Sequence, residues 1–131
     1  NTNQLILQDQ VVALMGSVTS GQCAAESPIV KQNKIVYIDS TCNSYQLTLE
    51  PDLVNPYWVS IVPNTFMEGT SAGAEAAKLG SKKIFVVSPN YLFGTSETNA
   101  FVAALAKKNP NVTYNDKSTW YVPFPTNPRW D

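Results

Sequence analysis

The chain has 131 residues, enough for one ordinary domain, and is 44% hydrophobic against 15% charged, the balance of a globular protein with material for a core. Nine basic residues nearly cancel ten acidic ones, and the net charge of −1 leaves no electrostatic footprint for nucleic acid or an anionic membrane surface. Histidine is absent, which removes Ser–His and Cys–His nucleophile pairs, the usual general base and most zinc and iron sites, while two cysteines cannot build a four-thiolate site.

No apolar run approaches the ~20 residues that span a bilayer. In chain order, Leu5 to Gln10 reads as the last turns of a helix. Val11 to Met15 is a continuous apolar strand, the pattern of one buried on both faces of a parallel sheet. Gly16 ends it, a Ser/Thr turn follows, and Gly21 to Asn33 reads as a helix that Pro28 should kink or delay. Ile35 to Ile38 is a second buried strand, completing a βαβ unit. A long polar connection leads to a third strand at Tyr57 to Val62. Thr65 and Glu68 have capping-box spacing, so a helix should run from there to Leu79, with Gly80 closing it. That helix is rich in small residues (Gly69, Ala72, Gly73, Ala76), suited to close packing on a neighbour. Ile84 to Val87 is a strand, "NYLFGTSE" a loop, and Thr95 or Ser96 should cap a helix that ends before Pro110. Val112 to Tyr114 should start the next strand.

The pattern is α/β, a Rossmann-like three-layer αβα arrangement with parallel sheets, in two parts: residues 1–62 and 63–131, meeting near Val62-Pro63-Asn64. Both ends read as cut, as in part of a longer chain.

In an open parallel sheet, ligands sit beyond the carboxyl ends of the strands. Two loops leave such ends, Gly16 to Gly21 and Asp39 to Ser44, and neighbouring strands would bring Ser20, Thr41 and Asn43 together. Ser20 would offer a hydroxyl and a backbone N–H at a helix start, suited to a carboxylate. Thr41 and Asn43 would offer acceptors suited to an ammonium or amide. The plainer alternative is that Ser20 caps the helix and the second loop's hydroxyls satisfy turn backbone. Asp39, at a strand end, has the readings of a phospho-acceptor, a metal ligand or, the plainer one, a turn-forming residue. The glycine spacing of "GSVTSG" fits neither a dinucleotide nor a P-loop fingerprint, and "SVTSG" is not a nucleophile elbow.

The stretch "VVALMGSVTSGQCAAESPIVKQNKIVYIDSTCNSYQLT" resembles type I periplasmic binding proteins, in which a Ser/Thr turn opens a helix and a second strand precedes a small-residue loop ending in Leu-Thr. "NPYWVSIVPNTFMEGTSAGAEAAKLGSKKIFVVSPNYLFGTSETNAFVAAL" continues the likeness: Asn-Pro-Tyr before a strand, a Pro at the crossing between lobes, a helix ending Leu-Gly, a Lys-Lys strand, an aromatic-Gly turn. "WYVPFPTNPRWD" is similar to the stretch leading to an Asp-Phe-Ser step, here reaching Asp131. The likeness is nearest to extracellular solute receptors of branched-chain amino acid ABC transporters.

The resemblance implies a non-enzymatic, two-lobed receptor, periplasmic or extracellular, that closes on a small polar solute (amino acid, amide or small carboxylate) and delivers it to a membrane permease. By position, Ser20 matches the family's carboxylate-binding serine, Thr41 and Asn43 the loop that meets the amino group, and Phe93 the second lobe's aromatic cover, usually Tyr. Asn43 replaces the common Thr, and Phe93 lacks the hydroxyl. No cofactor, metal or nucleic-acid partner is implied. A sensory ectodomain of a signalling receptor, which uses the same fold, is the alternative. Cys23 in the helix's first turn and Cys42 in the adjacent loop have two readings: a disulfide, which an oxidising periplasm permits, or two buried thiols.

Overall fold

The computed structural model describes residues 2–114 and 116–123, so the Asp131 landmark of the resemblance lies outside the described residues. The chain is α/β with parallel strands, and it divides into two compact units, Asn1–Asn64 and Thr65–Asp131.

In the first unit, α1 (Thr2–Leu7) precedes β1 (Ala13–Met15), α2 (Ser20–Asn33), β2 (Val36–Asp39), a short α3 (Gln46–Leu49) and β3 (Trp58–Ser60). The strands form one parallel sheet in the order β1-β2-β3. Register sets Leu14 beside Tyr37 and Tyr37 beside Trp58. This row faces the core, among Cys23, Val30, Cys42 and Leu47, and the rings of Tyr37 and Trp58 stack at 4.2 Å. The opposite row is open: Ala13, Met15, Val36 and Val59 are exposed, Met15 at 65%. The expectation that β1 is buried on both faces is therefore corrected. Strand geometry turns Leu14 inward and its neighbours outward, and among the described residues nothing covers the second face.

Helix α2 runs unbroken past Pro28, which neither delays its start nor ends it. The proline removes one intrahelical donor, and a complete capping box at Thr19 starts the helix two turns earlier. Lys34, in the left-handed region at φ 56, closes the other end. The polar connection after β2 holds α3, which the sequence did not announce. Buried Asn55 fixes the Asn-Pro-Tyr segment: its Nδ2 donates to the Ser27 carbonyl (3.0 Å) and its Oδ1 accepts from the Tyr57 amide (2.9 Å).

The second unit contains α4 (Thr65–Lys78), β4 (Val86–Asn90), α5 (Leu92–Lys108), a 3₁₀ turn (Asp116–Ser118) and β5 (Thr119–Pro123), with β4 and β5 paired in parallel. Gly69 and Gly73, one turn apart on α4, let it lie against α5. A Cβ on Gly69 would fall 2.5 Å from the Glu97 carbonyl, and one on Gly73 would meet the Phe101 carbonyl. Helix α4 begins at Thr65, as the T-x-x-E spacing predicts, and Thr65 is wholly buried, its Oγ1 paired with Ser96 Oγ of α5 at 2.8 Å. Gly80, at φ 67, follows the helix as expected.

Helix α5 begins at Leu92, ahead of the expected cap, with Tyr91 at the N-cap position. Thr95 and Ser96 instead bond back to the carbonyls of Tyr91 and Phe93. The early start depends on Gly94, where a Cβ would lie 2.6 Å from Ser88 Oγ and against the Pro89 carbonyl. The expected strand at Val112 to Tyr114 shrinks to one bridge, Thr113 with Lys83, and the partner of β4 is Thr119–Pro123.

Candidate functional site

The loops leaving the carboxyl ends of β1 and β2 form the candidate site, in the first unit. Gly16 (φ 153) and Ser17 (φ 58) turn the chain sharply out of β1. Thr19 then caps α2: its Oγ1 accepts from the Gln22 amide (3.4 Å) while Gln22 Oε1 accepts from the Thr19 amide (3.3 Å). Ser20 is thus the first residue inside the helix and not its cap. It is 1% exposed, and its Oγ accepts from the Ser44 amide (3.2 Å), joining one loop to the other. The first turn of α2 carries no acidic residue, so nothing in that turn neutralises the positive end of its dipole.

On the second loop, Asp39 Oδ1 accepts from the amides of Thr41 (3.1 Å) and Cys42 (2.7 Å), the turn-forming role expected of it. Its Oδ2 is buried with no hydrogen-bond partner. Thr41 is exposed, and its Oγ1 donates to the Ser17 carbonyl at 2.5 Å. Asn43 is half-buried, with its amide on the Thr41 carbonyl (3.1 Å). Cys23 and Cys42 are disulfide-bonded across a Cα separation of 6.2 Å, which resolves the two readings of the cysteines. Both sulfurs being engaged, the buried grouping of Cys23, Asp39 and Cys42 offers no thiolate to a metal.

Ser20, Thr41 and Asn43 therefore sit on two loops tied together by the Ser44–Ser20 and Thr41–Ser17 hydrogen bonds and by the disulfide. Phe93 belongs to the second unit, in the first turn of α5. It is half-buried, with its ring 5.8 Å from that of Tyr91.

Sequence reasoning missed the carboxylate behind the first loop. Glu26, on α2, accepts from Ser17 Oγ (2.7 Å), Tyr37 Oη (2.8 Å) and Thr2 Oγ1 (3.1 Å). Burial pushes the Tyr37 phenol well above its usual range, with the Glu26 and Asp39 charges adding and the Ser17 hydrogen bond opposing, so Tyr37 remains a protonated donor. One signal was legible: Glu26 follows Cys23 by three residues and so shares its helix face.

The periplasmic binding protein family model matches residues 1–124, and the chain belongs to that family. The family is one of binding proteins, not enzymes. A solute-binding protein of an ABC transporter from R. palustris, solved with 4-hydroxybenzoate, is 19% identical, with a TM-score of 0.82 over 97% of this chain and 32% of its own. A second from R. palustris, solved with benzoate, is 21% identical, with a TM-score of 0.84 over 95% of this chain and 33% of its own. A leucine-binding protein from Thermotoga maritima is 17% identical, with a TM-score of 0.76 over 97% of this chain and 34% of its own. The chain thus spans about a third of the length of these solved relatives. No curated protein sequence matches it.

Proposed function

We propose that the chain forms part of a periplasmic solute-binding protein of an ABC transporter, which takes up a small polar solute and passes it to a membrane permease. The observation that carries this reading is the fixed polarity of two hydroxyls. Ser20 Oγ accepts from the Ser44 amide and so keeps its own proton to donate. Thr41 Oγ1 gives its proton to the Ser17 carbonyl and so keeps lone pairs to accept.

The wall therefore offers a donor at the start of a 14-residue helix, suited to a carboxylate, and beside it an acceptor suited to an ammonium, amide or hydroxyl. Asn43 supplies an amide able to do either. Phe93 is the proposed aromatic contact, an assignment that rests on the resemblance. A carboxylate is the group that leucine and the benzoates share, and it is the group proposed for Ser20.

Calorimetry on the protein encoded by the full reading frame around these residues tests the reading. Leucine, benzoate and 4-hydroxybenzoate would be titrated into the parent and into Ser20→Ala. Loss of a hydrogen bond to a buried charged group costs roughly 1.5–3 kcal/mol, so Ser20→Ala should bind about tenfold to a hundredfold more weakly. If Ser20→Ala binds as tightly as the parent, Ser20 only links the two loops and the wall is misassigned.

A further inference from the structure

The polarity of Thr41 depends on the Ser17 carbonyl being where it is, and Ser17 is a non-glycine residue in the left-handed region. Such a residue is uncommon and persists only where its surroundings hold it. What surrounds Ser17 is Glu26. One carboxylate gathers three hydroxyls from three parts of the unit: Thr2 of α1, Ser17 of the turn after β1, and Tyr37 of β2. Tyr37, 2% exposed, shares its single hydroxyl proton between Glu26 and the Gly16 carbonyl 2.6 Å away, so the residues on both sides of the Gly16–Ser17 peptide border one cluster.

We propose that Glu26 is a positioning residue for the solute wall: by holding Ser17 in its left-handed conformation it aims the Ser17 carbonyl at Thr41 and fixes the Thr41 hydroxyl as an acceptor. The inference rests on the proposed solute-binding role, which assigns Thr41 to the solute's donor group. Glu26 makes no contact with solute in this scheme. It acts through Ser17 and then Thr41, at the far end of two hydrogen bonds of 2.7 and 2.5 Å. Charge-assisted hydrogen bonds of this kind are about twice as strong as neutral ones, so an amide in place of the carboxylate is a poor substitute. A hollow of about 230 Å³ borders Glu26, Ser17 and Tyr37, which leaves room for an altered side chain to relax without disrupting the core.

The mechanism separates from a plain structural role through selectivity. If Glu26 sets only the acceptor at Thr41, its loss should weaken solutes that carry a donor beside the carboxylate and spare those that do not. Leucine and 4-methylpentanoate differ in the ammonium alone and make the pair of probes, with benzoate as a second donor-free carboxylate.

The experiment uses the protein of the full reading frame and compares the parent with Glu26→Gln and Ser17→Ala. Amide hydrogen exchange is read first, without solute. Glu26→Gln and Ser17→Ala should each speed exchange in the segments 17–20 and 41–44 while the last two turns of α2 stay protected. Calorimetry is read second. Each variant should lose about tenfold in leucine affinity, the double variant no more than either single one, with 4-methylpentanoate and benzoate unchanged. Unaltered exchange in both segments overturns the inference whether or not any probe binds. An equal loss for all three probes also overturns it, because Glu26 would then be supporting the fold generally. A parent that binds none of the probes overturns the functional reading instead, and the exchange result alone then decides the role of Glu26.

Discussion

Thr19 and Ser20 are adjacent hydroxyls at the start of one helix, yet the structure gives them opposite duties. Thr19 closes a reciprocal capping box with Gln22, and Ser20, one residue on, reaches across to the Ser44 amide. The plainer reading of the sequence put the cap at Ser20, one residue past its true place at Thr19, and the link from Ser20 to the second loop was not legible at all, because it requires the register of β1 against β2. The same holds for Glu26. A half-buried carboxylate on a helix has no sequence signature until the elements around it are placed, and Thr2 and Tyr37 lie 24 and 11 residues from it. The division of labour predicts separable phenotypes. Thr19→Ala should cost about 1 kcal/mol of stability, the ordinary value of an N-cap, and leave solute affinity within about twofold. Urea unfolding paired with calorimetry would show it. A Thr19→Ala protein of parental stability would mean that the capping box contributes nothing.

At the level of elements, the parallel strands and the main helices were readable because apolar runs and helix periods are local signals. Their edges were not, and each miss has a tertiary cause. Helix α5 starts early because Gly94 lets its first turn close against Ser88 and Pro89. The second strand of the second unit fell at Thr119–Pro123 since pairing with β4, not apolar content, selects it. The small residues of α4 were read correctly as a packing face: Gly69 and Gly73 meet Ala100 and Ala104 of α5. The Cys23–Cys42 bridge joins α2 to the loop after β2 across a sequence separation of 19. Closing a loop of that size removes roughly 3 kcal/mol of unfolded-state entropy in the chain-entropy account. Reduction should lower the urea midpoint accordingly, and thiol titration of the denatured, unreduced protein should find no free thiol. Two titratable thiols would show the bridge to be absent.

Across the whole molecule, each sheet turns one face to its own helices and leaves apolar residues exposed on the other: Met15, Val36 and Val59 in the first unit, Val87 and Trp120 in the second. Solved relatives are about three times as long as this chain. The alternation of inward and outward residues along β1 could not be read from Val11 to Met15, because a continuous apolar run looks the same whether one face or both are covered. What did carry through from sequence to structure is the placing of Ser20, Thr41 and Asn43 on neighbouring loops, since parallel pairing of β1 with β2 brings the two carboxyl ends together. The proposal that these loops hold the charged end of a small solute is open to a direct test. The direct measurement is an amide NMR titration of the isotopically labelled full-reading-frame protein with leucine and with benzoate. A bound solute should shift the amides of Ser20 and Gly21 for either probe, and those of Thr41 and Asn43 more strongly for leucine. Saturable binding that leaves all four amides unmoved would contradict it.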